Sequence, residues 1–589
     1  MDISSTKTLA DVYYYQLKNH PRTDAFTQKE NNKWVSLSSQ EFVNKSIKLS
    51  LGLTDLGIVK GDRLAIISNN RIEWHLTDLA IQQIGAVNVP IYSNINPEDY
   101  IYIINDCGAR VIFVSDNDIL NKILSVKSSL TSVEYIFTYN KIEGAKHYSE
   151  LLSSTKNDSE IETLRNSVKE DDLATLIYTS GTTGKPKGVM LTHKNLITNV
   201  IASSHRLPMG DDLKALSFLP LCHVFERMLD YLYIFKSVSI YYAESIDTIG
   251  DDLKEVKPQF FATVPRLLEK VYDKIVTKGT DLTGIKKRLF FWALELGLEY
   301  DPLINKGFWY NTQLALANKL IFSKWREALG GNIVAIVSGG AALQPRLARV
   351  FSSANIPVLE GYGLTETSPV IGVNSLFPGG RMIGTIGKPL EKLDVKIASD
   401  GEIIVKGPSV MKGYYNLPDL TAEVIDDEGY FHTGDIGEFV GDGFLKITDR
   451  KKEIFKTSGG KYIAPQVMEN RFKESRFIEQ IMVIGEGEKH AAAIIQPDFL
   501  FLESWCGRKN IPFESSDKII NNQVVIDRIQ REVEELNKNF SNYEQIKKFE
   551  LVPHQWAVDT GELTPTLKLK RKFILSKNQH LVDKIYRIN

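Results

Sequence analysis

The run from Tyr178 to Gly188, YTSGTTGKPKG, gathers glycines, hydroxyl side chains and lysines into one short segment. Gly181, Gly184 and Gly188 have no Cβ, so backbone N–H groups there can come close to phosphate oxygens. Ser180, Thr182 and Thr183 add hydroxyl donors, and Lys185 and Lys187 add cations. The chemistry this pattern offers is a grip on a polyphosphate. It is not the Walker pattern, because Gly184-Lys185 runs into Pro186 and the preceding glycine is Gly181. Leu176, Ile177 and Tyr178 precede the loop as a buried strand would, and a helix-like continuation is expected after it.

Other segments carry chemistry of a compatible kind. In GYGLTET at 361–367 the glycines suggest a tight turn presenting Tyr362 as a flat stacking surface, while Thr365 and Glu366 are hard oxygen ligands suited to magnesium. Asp435, in FHTGDIG, is a short carboxylate able to accept two hydrogen bonds from a ribose hydroxyl pair. His223, in LPLCHVFER, is either a hydrogen-bonded core histidine or the border of a pocket. TPTLKLKRK at 564–572 reads by itself as a solvated basic run.

The elements that must position these residues show in the hydrophobic pattern. From Gly61 onward, apolar runs at 63–68, 86–92 and 110–115 alternate with helix-like stretches near 72–84 and 97–106, the signature of a mostly parallel, covered sheet. After Ile454 the strands QIMVIGEG, AAAIIQP and KKFELVP and an amphipathic helix at 524–540 are less regularly interleaved, which predicts a small α+β domain. TDRKKEIFKTSGGK between them is a candidate hinge. The fold class expected is α/β, with a large N-terminal part of α/β subdomains plus a β-rich portion.

The bulk numbers agree with a multidomain enzyme. At 589 residues more than one core is needed, and a formal charge of -2 provides no global field toward nucleic acid or anionic lipid. Cys107, Cys222 and Cys506 lack metal-ligand spacing and support no disulfide framework, which fits a reducing cytoplasm. MDISSTKTLADVYYY lacks the pattern of a signal peptide, and no apolar run is long enough to span a bilayer. The expectation is a cytoplasmic protein, with contact at the inner face of a membrane left open.

Taken in order, YTSGTTGKPKG, LPLCHVFER, SGGAAL at 338–343, GYGLTET, HTGD, DRKKEIFKTSGGKYIAP at 449–465 and TPTLKLKRK resemble the adenylate-forming enzymes: acyl-CoA synthetases, luciferases and peptide-synthetase adenylation domains. The forms DRKKEIFKTSGGKYIAP and GELTPTLKLKRK, with an extended stretch between Ile275 and Val337, are similar to the long-chain fatty acyl-CoA synthetases. That resemblance implies an N-terminal adenylation domain over 1–450, a hinge at 451–453 centred on Lys452, and a mobile C-terminal domain over 454–589. It implies ATP, Mg2+ and the co-substrate CoA, and activation of a long-chain fatty acid to acyl-AMP with pyrophosphate release, followed by transfer to CoA.

The same resemblance distributes the roles. Ser180, Gly181, Thr182, Thr183, Gly184, Lys185 and Lys187 would hold phosphates; Gly339, Gly340, Ala341, Tyr362 and Gly363 would contact the nucleotide; Asp435 and Arg450 would hold the ribose or phosphate. Glu366 and Thr182 would serve Mg2+, and Thr365, Glu366 and His223 would border the reacting groups. Lys568, with Lys570 as its competitor, would bridge the acyl carboxylate and the α-phosphate. Gly459 and Gly460 would leave a passage for pantetheine, and TVPRLLEKVYDKI at 263–275 matches another stretch of that family without a firm role for Arg266 or Lys270. An acyl-AMP ligase or an adenylation domain serving a carrier protein is the alternative within enzymes, and an inactive nucleotide-binding scaffold the alternative outside them. Aromatic residues beside lysines in KKRLFFWALELGL and KGFWYNTQLALANKLIFSKW allow a peripheral bilayer contact. Monomer and homodimer both remain open.

Overall fold

The alternating apolar runs of the first half become parallel strands. In a computed structural model of the chain, which describes residues 6–180, 185–245, 247–451, 453–557, 560–564 and 568–587, Arg63–Ile67 pairs in parallel with Val87–Ile91 on one side and Val111–Val114 on the other. Every residue of Val87–Ile91 is buried, as expected of a strand covered on both faces. Its pairing with Leu173–Ser180 reduces to Asn88 and Thr175, consistent with Pro90 having no N–H to donate. These strands belong to an eight-stranded sheet that ends at Gly413–Tyr414 on one side and Lys146–His147 on the other.

A second sheet of nine strands is built around Lys214–Ser217, Phe260–Thr263, Ala335–Ser338 and Val358–Gly363, all parallel. Val370–Val373 and Lys388–Pro389 extend it antiparallel. A four-stranded antiparallel sheet, ordered Asp394–Ile397, Glu402–Lys406, Phe431–Val440 and Phe444–Arg450, forms the β-rich portion expected from the sequence.

Between the two large sheets, helices Ile72–Gln83 and Val224–Phe235 are buried almost all round and are joined by charge. Arg227 donates to Asp78 Oδ1 at 2.7 Å and to Thr175 Oγ1 at 2.8 Å, and His75 Nε2 lies 3.0 Å from Asp230 Oδ2. Burial works against the Asp78 carboxylate, but the Arg227 guanidinium and then His75 hold it below the ordinary carboxylate range. The pairing fixes the helix that begins immediately after His223.

The C-terminal part has its own core. Ile478–Ile484 pairs antiparallel with Ala492–Pro497, which pairs in parallel with Lys548–Leu551. Along the first strand Ile481 and Val483 pack with helices Pro465–Phe472 and Gln523–Asn537, while Met482 and Ile484 pack with Ile574 and Ile585 on the opposite face. A large α/β part with mixed sheets and a smaller C-terminal α+β part are therefore present, and the core clusters divide between Ile447 and Phe455.

Candidate active site

The strands on either side of the expected phosphate loop pair as a β-hairpin. Leu173–Ser180 pairs antiparallel with Pro186–Thr192, bringing Tyr178 opposite Gly188 and Thr179 opposite Lys187. The expected helical continuation is therefore wrong: the helix His193–Ser204 starts only after Thr192 caps it, Thr192 Oγ1 accepting from the backbone N–H of Asn195 at 3.2 Å. Gly181, Thr182, Thr183, Gly184, the Ser180 side chain and Lys452, the expected hinge residue, lie outside the described residues. Lys185 is exposed and sits over the Tyr102 ring at 5.4 Å, whereas Lys187 lines the central cavity, over the Tyr414 ring at 5.3 Å.

That cavity has a volume of about 1960 Å³ and collects most of the residues expected from sequence. The strand Phe431–Val440 places Asp435 directly across from Arg450, and Arg450 Nε lies 3.2 Å from Asp435 Oδ1. The other carboxylate oxygen accepts the Tyr362 hydroxyl at 2.5 Å. Asp435 is only 5% exposed, so its carboxylate is held in one orientation. Asp449 is the neighbour that does not join them. It points away from the cavity-lining side chains of Thr448 and Arg450, Oδ2 has no hydrogen-bond partner among the described residues, and burial pushes it up to about 7.

Tyr362 is not displayed by a tight turn. It lies on the strand Val358–Gly363, and Gly363 is demanded by close approach: a Cβ there would stand 1.7 Å from the Pro369 carbonyl oxygen. The turn follows at Thr365–Thr367, which puts Thr365 and Glu366 on the cavity wall. Glu366 Oε1 accepts the Tyr414 hydroxyl at 2.8 Å. Ser338, Gly339, Gly340 and Ala341 line the same wall beyond the strand Ala335–Ser338, with Gly340 at φ 81°.

His223 satisfies both readings the sequence left open. It lines the cavity, and its Nδ1 accepts the backbone N–H of Phe225 at 3.2 Å, capping the helix Val224–Phe235. Nε2 is then the ring N–H donor. Burial, and after it the charge of Lys568, push His223 down to about 4, so the ring is neutral at physiological pH.

Lys568 is turned into the cavity from the C-terminal part. Its backbone N–H donates to Thr564 Oγ1 at 3.0 Å. Burial, and then repulsion from Arg450, push it down to about 8, while Asp435, Glu453 and Glu366 act in the opposite direction. Lys570 is exposed and stands at the N-cap of the helix Arg571–Lys577. Gly459 and Gly460 occupy the exposed turn between Phe455–Lys456 and Tyr462–Ile463, outside the cavity. Arg266 pairs with Glu269 at 3.0 Å and reaches across to Glu479, so it joins the two parts of the chain rather than entering the site.

Among the cavity residues that sequence reasoning missed, four carry polar groups of chemical interest. Tyr414 comes from a short edge strand with no motif around it. Glu360 is buried beside the glycines of its strand, its carboxylate accepts the Gly384 N–H at 3.2 Å, and burial pushes it up to about 8. Ser203 lies in the last turn of the helix His193–Ser204, and Arg206 in the turn after it.

A fold of two α/β sheets, a β-rich portion and a capping C-terminal part, meeting over these groups, defines a class. The chain belongs to the AMP-binding enzyme family, whose model matches residues 14–415, and the model of the AMP-binding enzyme C-terminal domain matches residues 452–589. Within that class the similarity is to particular enzymes. The chain is 33% identical over 561 residues to the long-chain-fatty-acid--CoA ligase FadD15 of Mycobacterium bovis, covering 94% of this chain and 92% of that protein. It is 31% identical to long-chain-fatty-acid--CoA ligase 1 of Cavia porcellus, covering 98% and 86%. Among solved structures, the adenylation domain of a carboxylate reductase from Mycobacterium chelonae shares the fold at a TM-score of 0.76 and 20% identity, covering 98% of this chain and 91% of that one.

Proposed function

We propose that the protein is an AMP-forming ligase that activates a long-chain fatty acid and transfers it to CoA. The observation that carries this reading is the enclosure of Lys568 in one cavity with Asp435, Arg450, Glu366 and neutral His223, continuous with an apolar wall of Val224, Met228, Leu229, Leu232, Val373 and Ile386. A carboxylate does not react with a thiol at neutral pH, because oxide would have to leave. Attack of its oxygen on the α-phosphorus of ATP expels pyrophosphate and makes AMP the leaving group; thiol attack then forms the thioester.

Each group has work suited to its setting. Asp435 accepts hydrogen bonds from the ribose, and Arg450, paired with it, faces the ribose or α-phosphate. Lys568 brings positive charge to the oxygens of the five-coordinate phosphorus, where a low-dielectric surrounding strengthens it. His223 Nε2–H is a neutral donor beside the reacting carboxylate. The hinge over 451–453 lets the C-terminal part leave once adenylation is complete, since one carbonyl must meet two successive partners.

Magnesium fits the donors present. Glu366 faces the cavity with one oxygen committed to Tyr414, and Mg2+ is commonly held by one or two carboxylates together with substrate phosphates. Glu366 is the residue that would hold it, with Thr182 assigned from resemblance alone. The metal would neutralise phosphate charge.

Thioester formation from ATP, CoA and saturated acids from acetate to eicosanoate, followed by mass spectrometry, tests this function. Acyl-CoA with a long-chain optimum is expected. Pyrophosphate release without any CoA thioester would favour a carrier-protein adenylation enzyme instead.

A peripheral bilayer contact has its own support. Phe308 at 76%, Trp309 at 75% and Ile285 at 75% are exposed on the helices Phe308–Ala317 and Gly284–Leu298, beside Lys286, Lys287 and Lys306. Among the described residues no helix is long and apolar enough to cross a membrane. Flotation with anionic vesicles should carry the wild type upward and leave a Phe308→Ser/Trp309→Ser variant at the bottom; flotation of neither removes the contact. A cytoplasmic location completes the proposal.

A further inference from the structure

Two polar side chains interrupt the apolar wall, and the reaction above leaves them unused. Asn199, Ser203 and Arg206 fall at i, i+4 and i+7 along the helix His193–Ser204 and the turn after it, which puts them on one stripe. Asn199 Nδ2 donates to the Thr367 carbonyl at 3.3 Å and the Val370 carbonyl at 2.8 Å. That level of the stripe is therefore tied to the Thr365–Thr367 turn at the reaction centre. Ser203 lies about 6 Å farther along the helix axis at the rise of an α-helix, and Arg206, in the turn after the helix, lies beyond it.

Both line the cavity, and both are under-satisfied. Ser203 is 5% exposed, and its hydroxyl has no hydrogen-bond partner among the described residues. The Arg206 side chain makes one hydrogen bond among the described residues, Nη2 to the Pro389 carbonyl at 2.7 Å. Among the described residues no carboxylate lies within ion-pair distance of it; Glu391 is paired with His205 instead, at 3.2 Å. Burial lowers the Arg206 pKa, and Glu391 only works against that. A half-buried guanidinium that only Glu391 answers, and from beyond ion-pair distance, keeps hydrogen-bonding capacity to spare, and an anion presenting two oxygens is the partner its planar fork fits.

We infer that Ser203 and Arg206 form a subsite for a second carboxylate on the acyl substrate, so that the cavity accepts α,ω-dicarboxylic acids as well as simple fatty acids. The inference rests on the ligase reading above. One carboxylate reacts: its oxygen bonds to the α-phosphorus as pyrophosphate departs with the P–O electron pair. The thiol sulfur then bonds to the carbonyl carbon, AMP departs, and the thiol proton passes to solvent. The second carboxylate changes no bond and stays ionised against Arg206, with the Ser203 hydroxyl donating to it.

The test compares kcat/KM for matched pairs, decanoate with decanedioate and hexadecanoate with hexadecanedioate, using the full chain, ATP and CoA. The wild type is expected to form the dioyl mono-CoA thioester of at least one diacid. Arg206→Met is expected to lower kcat/KM for that diacid about tenfold or more while leaving the matched monoacid within about threefold, with Arg206→Lys and Ser203→Ala intermediate. Equal loss for both members of a pair would make Arg206 a staple to Pro389 and overturn the subsite, as would wild-type thioester formation from the monoacids alone. No thioester from any acid would instead overturn the ligase reading itself.

Discussion

Replacing Lys568 with alanine should separate the two half-reactions. The ammonium sits in the shared cavity where Arg450 repels it and Asp435, Glu453 and Glu366 attract it. A cation supplied to a transferring phosphoryl group is worth about 10³ to 10⁵ in rate. Arg450 stays behind in the same cavity, so the lower end applies: about 10³, or about 4 kcal/mol of transition-state stabilisation. Fatty-acid-dependent exchange of pyrophosphate into ATP reads the adenylation step alone, and thioester formation from supplied acyl-AMP and CoA reads the second. Exchange should fall by about three orders of magnitude while the second rate stays within a few-fold. Lys570→Ala should leave both rates nearly unchanged. Equal loss of both half-reactions in Lys568→Ala, or loss in Lys570→Ala instead, would refute the assignment.

Three further outcomes follow from the same geometry. Lys568 must be protonated to act, and its folded-state value is lowered to about 8, so kcat/KM should fall as pH rises through about 8. The falling limb should vanish in Lys568→Arg, because a guanidinium stays charged; a limb of unchanged position in that variant would assign it to another group. Gly363→Ala would drive a Cβ into the Pro369 carbonyl, and a loss of about 1–3 kcal/mol in denaturant unfolding is expected; unchanged stability would contradict the close approach. Arg227→Met leaves the Asp78 carboxylate buried without its partner, at a cost of about 3–5 kcal/mol, whereas the double variant Arg227→Met/Asp78→Leu should recover much of it; no recovery would deny the coupling.

What could be read from the sequence depended on how local the determining contacts are. The parallel strands at 63–67, 87–91 and 111–114 were legible because a covered strand must be apolar along its whole length. The stretch after the Gly- and Lys-rich loop was read as helix, but it completes the strand Pro186–Thr192, and the Thr192 cap with Asn195 three residues on marks where the helix begins. Tyr362 was read from its flanking glycines as a turn, but Gly363 is set by Pro369, just ahead of the neighbouring strand Val370–Val373, through a backbone approach that residue pattern does not encode. Asp435 and Arg450 were recognised from their motifs, yet that they face each other is a matter of strand register. The Arg227–Asp78 pair, 149 residues apart, and the orphaned Ser203 hydroxyl leave no sequence signal at all. Buried charge and unfilled hydrogen-bonding capacity become visible only when distant elements are packed together.

The most direct measurement of the central claim omits CoA. Incubated with ATP, Mg2+ and a long-chain fatty acid alone, the protein should accumulate acyl-AMP and pyrophosphate, seen by mass spectrometry, and adding CoA should convert that adenylate to acyl-CoA with release of AMP. Appearance of ADP and an acyl phosphate, or of no adenylate under these conditions, would contradict the account.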